Sequence, residues 1–150
     1  VYGVQADLEI EIIKGLEFGA NINWQKGQEV LDDGSTSPSR HAAPMFGKAK
    51  LIYRTGKLET MFYAVFSDEV SFENMPEEEK GKEYMYAIDD NGQPYSPGWY
   101  TLNFKAQYKL SESLSISTGL ENITDLRYRP YSSGIVAPGR NLVFSIKASF

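Results

Sequence analysis

Along most of this chain, apolar and polar residues alternate with a period of two. The first such stretch, Tyr2 to Ile12, sets Tyr2, Val4, Ala6, Leu8, Ile10 and Ile12 against Gly3, Gln5, Asp7, Glu9 and Glu11. Successive side chains of a β-strand point to opposite faces, so this pattern predicts a strand with one greasy and one polar face. Leu16 to Gln25 repeats it, with Leu16, Phe18, Ala20, Ile22 and Trp24 opposed to Glu17, Gly19, Asn21, Asn23 and Gln25. The third stretch, Met45 to Tyr53, sets Gly47, Ala49, Leu51 and Tyr53 against Lys48 and Lys50. Leu58 to Ser67 is apolar on both faces, which leaves its orientation open. Tyr100 to Lys109, Leu114 to Glu121 and the closing strand from Asn141 follow the same alternation. Nowhere is there an apolar stripe at helical spacing. The acidic run "MPEEEKGKEYMY" predicts no more than a turn of helix inside a loop.

The connections alternate too. "IKGL", "RTGK" and "LSES" are tight, and Gly15 is free to take the positive φ a tight turn asks for. The other three connections, Lys26 to Ala43, Asp68 to Gly98 and Asp125 to Gly139, are long. Successive connections of an antiparallel meander emerge at opposite ends. One rim therefore carries short turns and the other long loops, as in barrels that cross an outer membrane. Strands that cross a bilayer at a ~45° tilt need about 9–11 residues, and most of these stretches supply that. Trp24, Tyr53, Tyr100 and Tyr108 fall near strand ends, where aromatic girdles sit. The pattern predicts an all-β, antiparallel up-and-down meander of about seven strands, part of a transmembrane β-barrel. A self-contained soluble β-barrel binding a small hydrophobic ligand would show the same alternation. It explains the asymmetric rims less well, and the one-sided charge load only if that side faces outward.

Composition narrows the function. The chain has 150 residues and no cysteine, so disulfides and thiolate metal sites are excluded. No apolar run approaches the roughly 18 residues of a spanning helix. A net charge of −5 argues against nucleic acid as a partner. No carboxylate pair, phosphate loop or nucleophile constellation is present; the expectation is a non-enzyme without a resident cofactor or metal. The sequence opens at Val1 inside a strand and shows no signal segment, which predicts a fragment of something longer.

The tail adds a specific resemblance. Glu121-Asn122-Ile123-Thr124-Asp125, then Tyr128-Arg129-Pro130-Tyr131, then Ala137-Pro138-Gly139-Arg140-Asn141, then Phe150 resemble the C-terminus of TonB-dependent outer-membrane receptors. The resemblance covers about the last 30 residues. It implies a 22-stranded barrel with a plugged lumen, of which residues 1–150 would be the C-terminal portion, with the plug domain and earlier strands missing. It implies residence in the lipid bilayer of the cell outer membrane and cargo such as an iron chelate (ferric siderophore) or haem, with cobalamin and glycans also open. TonB would be engaged through the missing N-terminal region, and Phe150 would be the signal read by the barrel-assembly machinery.

Candidate ligand contacts follow from that resemblance. His41, at the end of the first long loop, is of the kind that could ligate haem iron, and is equally an ordinary solvated loop residue. Tyr131 competes with Tyr84, Tyr86 and Tyr95 as a phenolate ligand. Arg127, Arg129 and Arg140 flank the last long loop and suit either an anionic ligand or the tying of that loop to its surroundings. The loop from Asp68 to Gly98 carries nine carboxylates and two lysines. Its "DDNG" suggests either Ca²⁺ binding or an open, solvated surface loop; the latter is the expectation.

Overall fold

The computed structural model describes residues 1–40 and 42–149. Its eleven strands are β1 (Tyr2–Ile13), β2 (Leu16–Lys26), β3 (Gln28–Val30), β4 (Thr36–Pro38), β5 (Phe46–Thr55), β6 (Leu58–Ser67), β7 (Ala87–Ile88), β8 (Pro94–Tyr95), β9 (Trp99–Lys109), β10 (Leu114–Glu121) and β11 (Asn141–Ala148). A single helical turn, α1 (Glu77–Lys80), lies between 3-10 turns at Phe72–Asn74 and Glu83–Met85. The long strands form one seven-stranded antiparallel sheet in the order β1-β2-β5-β6-β9-β10-β11. That is the expected up-and-down meander. The hairpins β3–β4 and β7–β8 stand inside the first two long loops. They escaped the sequence analysis because strands of two or three residues are too short to carry a period-two signal.

Register carries one face of each strand into line with its neighbour. Leu8 faces Ala20 and Ile10 faces Phe18; Ala20 faces Ala49 and Phe18 faces Leu51. The orientation of β6 left open above is settled by its neighbours. Phe62 lies between Leu51 and Phe104, and Ala64 between Ala49 and Leu102. Leu58, Thr60, Phe62, Ala64 and Phe66 therefore belong to the apolar face. On β10 and β11, Ile116 faces Ile146 and Leu120 faces Leu142. The one charge in register with this face among the described residues is Lys26, opposite Tyr2 at the loop rim. Tyr2, Trp24 and Tyr100 mark that rim, and Tyr53 and Tyr108 the turn rim, all exposed. Tyr2 and Trp24 meet edge to face at 5.8 Å.

The opposite face is more enclosed and bears the ions. Ile52, Tyr63, Thr101 and Asn103 are buried there, whereas Leu51, Phe62, Phe144 and Ile146 on the apolar face are exposed. Among the described residues β1 and β11 each pair on one side only. Charges on the polar face pair across strands. Lys50 Nζ reaches Glu9 Oε1 at 2.7 Å, Arg54 bridges Glu17 (2.9 Å) and Glu59 (2.7 Å), and Lys105 approaches Glu121 at 3.4 Å. The Lys50–Glu9 pair spans the intervening strand β2 at Gly19, where a Cβ would run into the Lys50 side chain. A bare glycine in a strand often marks such a close passage.

The last loop is knotted at its base. Asn122 is buried with φ 47, a left-handed conformation that asparagine tolerates better than most residues. Its Oδ1 accepts the Leu126 N–H at 2.9 Å, and its Nδ2 donates to the carbonyls of Leu126 (2.8 Å) and Pro138 (3.1 Å). Its own N–H donates to Asn103 Oδ1 at 2.9 Å, fastening the knot to β9. Asp125, at φ 55, accepts the Arg140 N–H at 2.7 Å. The Asn-Ile-Thr-Asp and Pro-Gly-Arg segments of the tail are thus the two halves of one clamp. Asn122→Ala should leave a partly buried N–H and two carbonyls without partners, costing about 2 kcal/mol locally. Amide hydrogen exchange at Leu126 should then quicken by about 30-fold, with amides at mid-strand in β10 unchanged.

Candidate functional site

All three long loops lie at one rim, and they interlock. Loop 27–45 joins loop 68–98 through Arg40, which pairs with Glu29 at 3.2 Å and Glu78 at 2.7 Å. Ser37, itself buried, accepts the Glu77 N–H at 3.3 Å. Loop 68–98 joins loop 122–140 through Arg129, whose Nη1 donates to the Met85 carbonyl at 3.2 Å. The acidic loop is therefore packed where the sequence suggested an open, solvated segment. Met75 is fully buried, Pro76 nearly so, and Val70 bridges Ser96. "DDNG" is a turn closing β7 on β8. Asp89 Oδ1 accepts the N–H groups of Asn91 and Gln93, each at 2.8 Å, and Gly92 takes φ 80.

Glu79 is the hub. Only 3% exposed, it pairs with Lys82 at 2.7 Å, accepts the Tyr86 hydroxyl, and accepts Ser132 Oγ from the last loop at 3.2 Å. Burial pushes its carboxyl up, but the hydrogen bonds from Lys82 and Tyr86, the Lys82 charge and the Ser132 bond together hold it below the usual carboxylate range. Burial and the adjacent Glu79 push the Tyr86 phenol well up. Tyr131, whose ring lies 6.3 Å from that of Tyr86, is pushed up to about 12 by burial and the same carboxylate.

Beside this hub a cleft of about 440 Å³ opens on the polar side of the rim, lined by Tyr84, Tyr86, Trp99, Arg127, Tyr128 and Arg129. Trp99 stacks on Tyr128 with ring centroids 4.1 Å apart. Tyr84 is 81% exposed, and Arg127 is exposed with no ion pair among the described residues. The predicted site residues thus divide. Arg127 faces the cleft with its charge uncommitted. Arg129 lines the same cleft but is held by backbone carbonyls. Arg140 lies outside it, its Nε donating to the Ile123 carbonyl at 2.9 Å. Tyr131 is half-buried near the hub, lining a neighbouring cleft with Phe66 and Trp99. His41 and Phe150 lie outside the described residues. Trp99 and Glu79 were missed. Trp99 sits one residue before Tyr100, where the alternating stretch begins, and extending the period backwards puts it on the polar face. Nothing in "PEEEK" marks its third carboxylate as the buried one.

Because the folded-state carboxyl of Glu79 lies below its unfolded value, its contribution to the loop junction is complete above the unfolded value, near pH 4.3 for a free glutamate. It is lost as pH falls through the folded value. Junction protection, followed by amide exchange at Glu83–Met85, should therefore stay level from neutral pH to about 5 and fall only in stronger acid. Glu79→Ala at neutral pH should raise tryptic cleavage after Lys82 by about tenfold, as a lost charge-assisted hydrogen bond implies.

No family model and no curated protein matches the chain. Among solved structures it is similar to the copper transporter OprC, with a TM-score of 0.75 at 14% identity over 99% of this chain and 23% of that one. A mutant form of the ferric enterobactin receptor PfeA from Pseudomonas aeruginosa matches at 0.70 and 16% identity, over 99% of this chain and 22% of that one. The siderophore receptor PiuA from Acinetobacter baumannii matches at 0.59 and 18%, over 97% and 21%. The chain thus spans less than a quarter of these structures. At such identities the likeness is one of fold: the seven-stranded antiparallel sheet with its three long loops has the form of a section of these larger structures.

Proposed function

We propose that this chain is the C-terminal part of the barrel domain of a TonB-dependent receptor in the outer membrane, importing an iron complex, either a ferric siderophore or haem. Its strands form the wall and its loops help to capture cargo outside the cell. The reading is carried by one observation. Across seven strands one face bears no charge between its aromatic rims, while the other bears the ions, several of them joined in cross-strand pairs. A water-solvated sheet has no need of such a face. A bilayer requires it, because lysine or arginine facing lipid costs about 2–4 kcal/mol at mid-depth.

Cargo follows by similarity. The structural neighbours are named for copper, ferric enterobactin and siderophore transport. The cleft beside Arg127 supplies aromatic rings and one uncommitted cation, groups suited to an anionic iron complex. Among the described residues no His, Cys, Asp and Glu cluster is placed to hold a bare metal ion, so capture through the organic shell of a chelate suits these loops better. Arg127, Tyr131 and His41 are the proposed loop contacts; Arg129 and Arg140 support them by fixing the loop. TonB and the barrel-assembly machinery are the proposed protein partners, the latter through Phe150.

Two measurements test this reading on the full-length receptor. Ala49→Arg, at mid-strand on the apolar face, should lower folding stability in vesicles by about 2–4 kcal/mol, against less than ~1 for Ser117→Arg on the polar face. Equal costs would place both faces in water and end the membrane reading. In binding titrations with a ferric catecholate, a ferric hydroxamate, haem and cobalamin, an iron complex should bind best. Arg127→Ala should weaken it about tenfold, a typical loss for one charge-assisted contact. Preference for cobalamin would overturn the cargo assignment.

A further inference from the structure

Trp99 divides two clefts at the loop rim. On its Tyr128 side lies the cleft described above, which holds Arg127 and Arg129. A second cleft of about 360 Å³ shares Trp99 and Pro130 with the first, and none of the described residues lining it is charged. Strand register shows how it is built. The row of the polar face nearest the loops reads Asn23, Phe46, Ser67, Trp99 across β2, β5, β6 and β9. Ser67 is the small residue between two aromatic ones, whose strands lie about 9.6 Å apart. Phe46 and Trp99 are thus the walls of a slot with Ser67 at its floor. Val65, from the next row, extends the floor, and Pro44, Pro130 and Tyr131 border the slot from two loops. Phe46 is exposed. Tyr131, its phenol pushed up to about 12, adds no charge at neutral pH.

We propose that the uncharged cleft seats an alkyl arm of the cargo, carried by an anionic iron chelate whose head lies against Arg127. The inference rests on the reading of this rim as the capture site for an iron complex, and it narrows the cargo to amphiphilic chelates. Three observations argue for it. The two clefts are continuous across Trp99 and Pro130, so one molecule reaches both. Their charges differ as the two ends of such a molecule do: a cation without an ion pair on one side of Trp99, and no charged lining on the other. Size agrees as well. A closed apolar cavity of about 150 Å³ holds a benzene ring, and this slot has more than twice that room, enough for a chain rather than a methyl group.

Binding titrations on the full-length receptor test the proposal, using anionic ferric tris-catecholates that differ only in one amide-linked arm: acetyl, butanoyl, hexanoyl or octanoyl. Affinity should rise about twofold for each methylene added, half on a logarithmic scale of the gain from complete burial, and level off once the slot is full. Ser67→Phe sets a third ring between the two walls and should flatten the series to less than ~1.2-fold per methylene. Phe46→Ser takes one wall away and should reduce the gain to about 1.4-fold. Partition of the arms into lipid or detergent is the same for all three proteins and produces no such difference. Arg127→Ala should weaken every member by one common factor and leave the dependence on length intact. The proposal is overturned if affinity does not change with arm length, as when another part of the receptor fills the slot, or if the gain survives either slot substitution unreduced. A flat series that still weakens with Arg127→Ala would keep the iron-complex reading and remove only this inference. Failure of all these chelates to bind would overturn it as well, the wider cargo reading then resting on the titrations with ferric hydroxamate and haem.

Discussion

Strand register is the constraint on which everything else in this molecule depends. Side chains alternate along each strand, so a slip of one residue in any pairing exchanges the two faces. Here such a slip at β2–β5 would drive Lys48 and Lys50 into the row of Phe18, Ala20 and Ile22, and bring Ala49 and Leu51 among the carboxylates. The hydrophobic pattern penalises that error strand by strand, and the cross-strand ion pairs penalise it again. Arg54 can meet both Glu17 and Glu59 only if β2, β5 and β6 are all correctly aligned. Each exposed pair contributes little by itself, but a three-strand bridge selects one alignment among several that would bury similar apolar area.

The loops obey a different rule. Their backbone groups have no long ladder to satisfy them, so short motifs and side chains do it instead. Asn122 replaces a missing turn of ladder at the exit from β10. Asp89 does the same between β7 and β8. Glu79 then collects groups from two loops around one buried charge, which the low-dielectric surroundings make costly to leave unpaired. The outcome is a rim of three connected loops joined by Arg40, Glu79 and Arg129, with Arg127 the cation of its loop that has no ion pair among the described residues.

This division explains what could be read in advance. The seven long strands, their order and the sidedness of six of them follow from period-two alternation, because the two environments they separate differ so much. β6 resisted because its polar-side residues Met61, Tyr63 and Val65 are themselves apolar; Tyr63 is buried beneath two lysine chains that sequence spacing places on other strands. The loop assignments were less legible for a related reason. Arg127, Arg129 and Arg140 look alike in the sequence, yet which of them is captured by a carbonyl depends on contacts 17 and 44 residues away. The clamp formed by Asn122 and Asp125 was visible only as a resemblance in the tail; its hydrogen bonds supply the physical reason for those residue types.

The two tryptophans stand on opposite faces of the sheet at the same rim. Trp24 is on the apolar side against Tyr2, and Trp99 is on the polar side against Tyr128. Nature has thus placed two separate optical probes in one short chain. Removing either leaves a single emitter, one reporting on whatever medium meets the apolar face and the other on events among the loops, so that the two sides of the sheet can be followed independently.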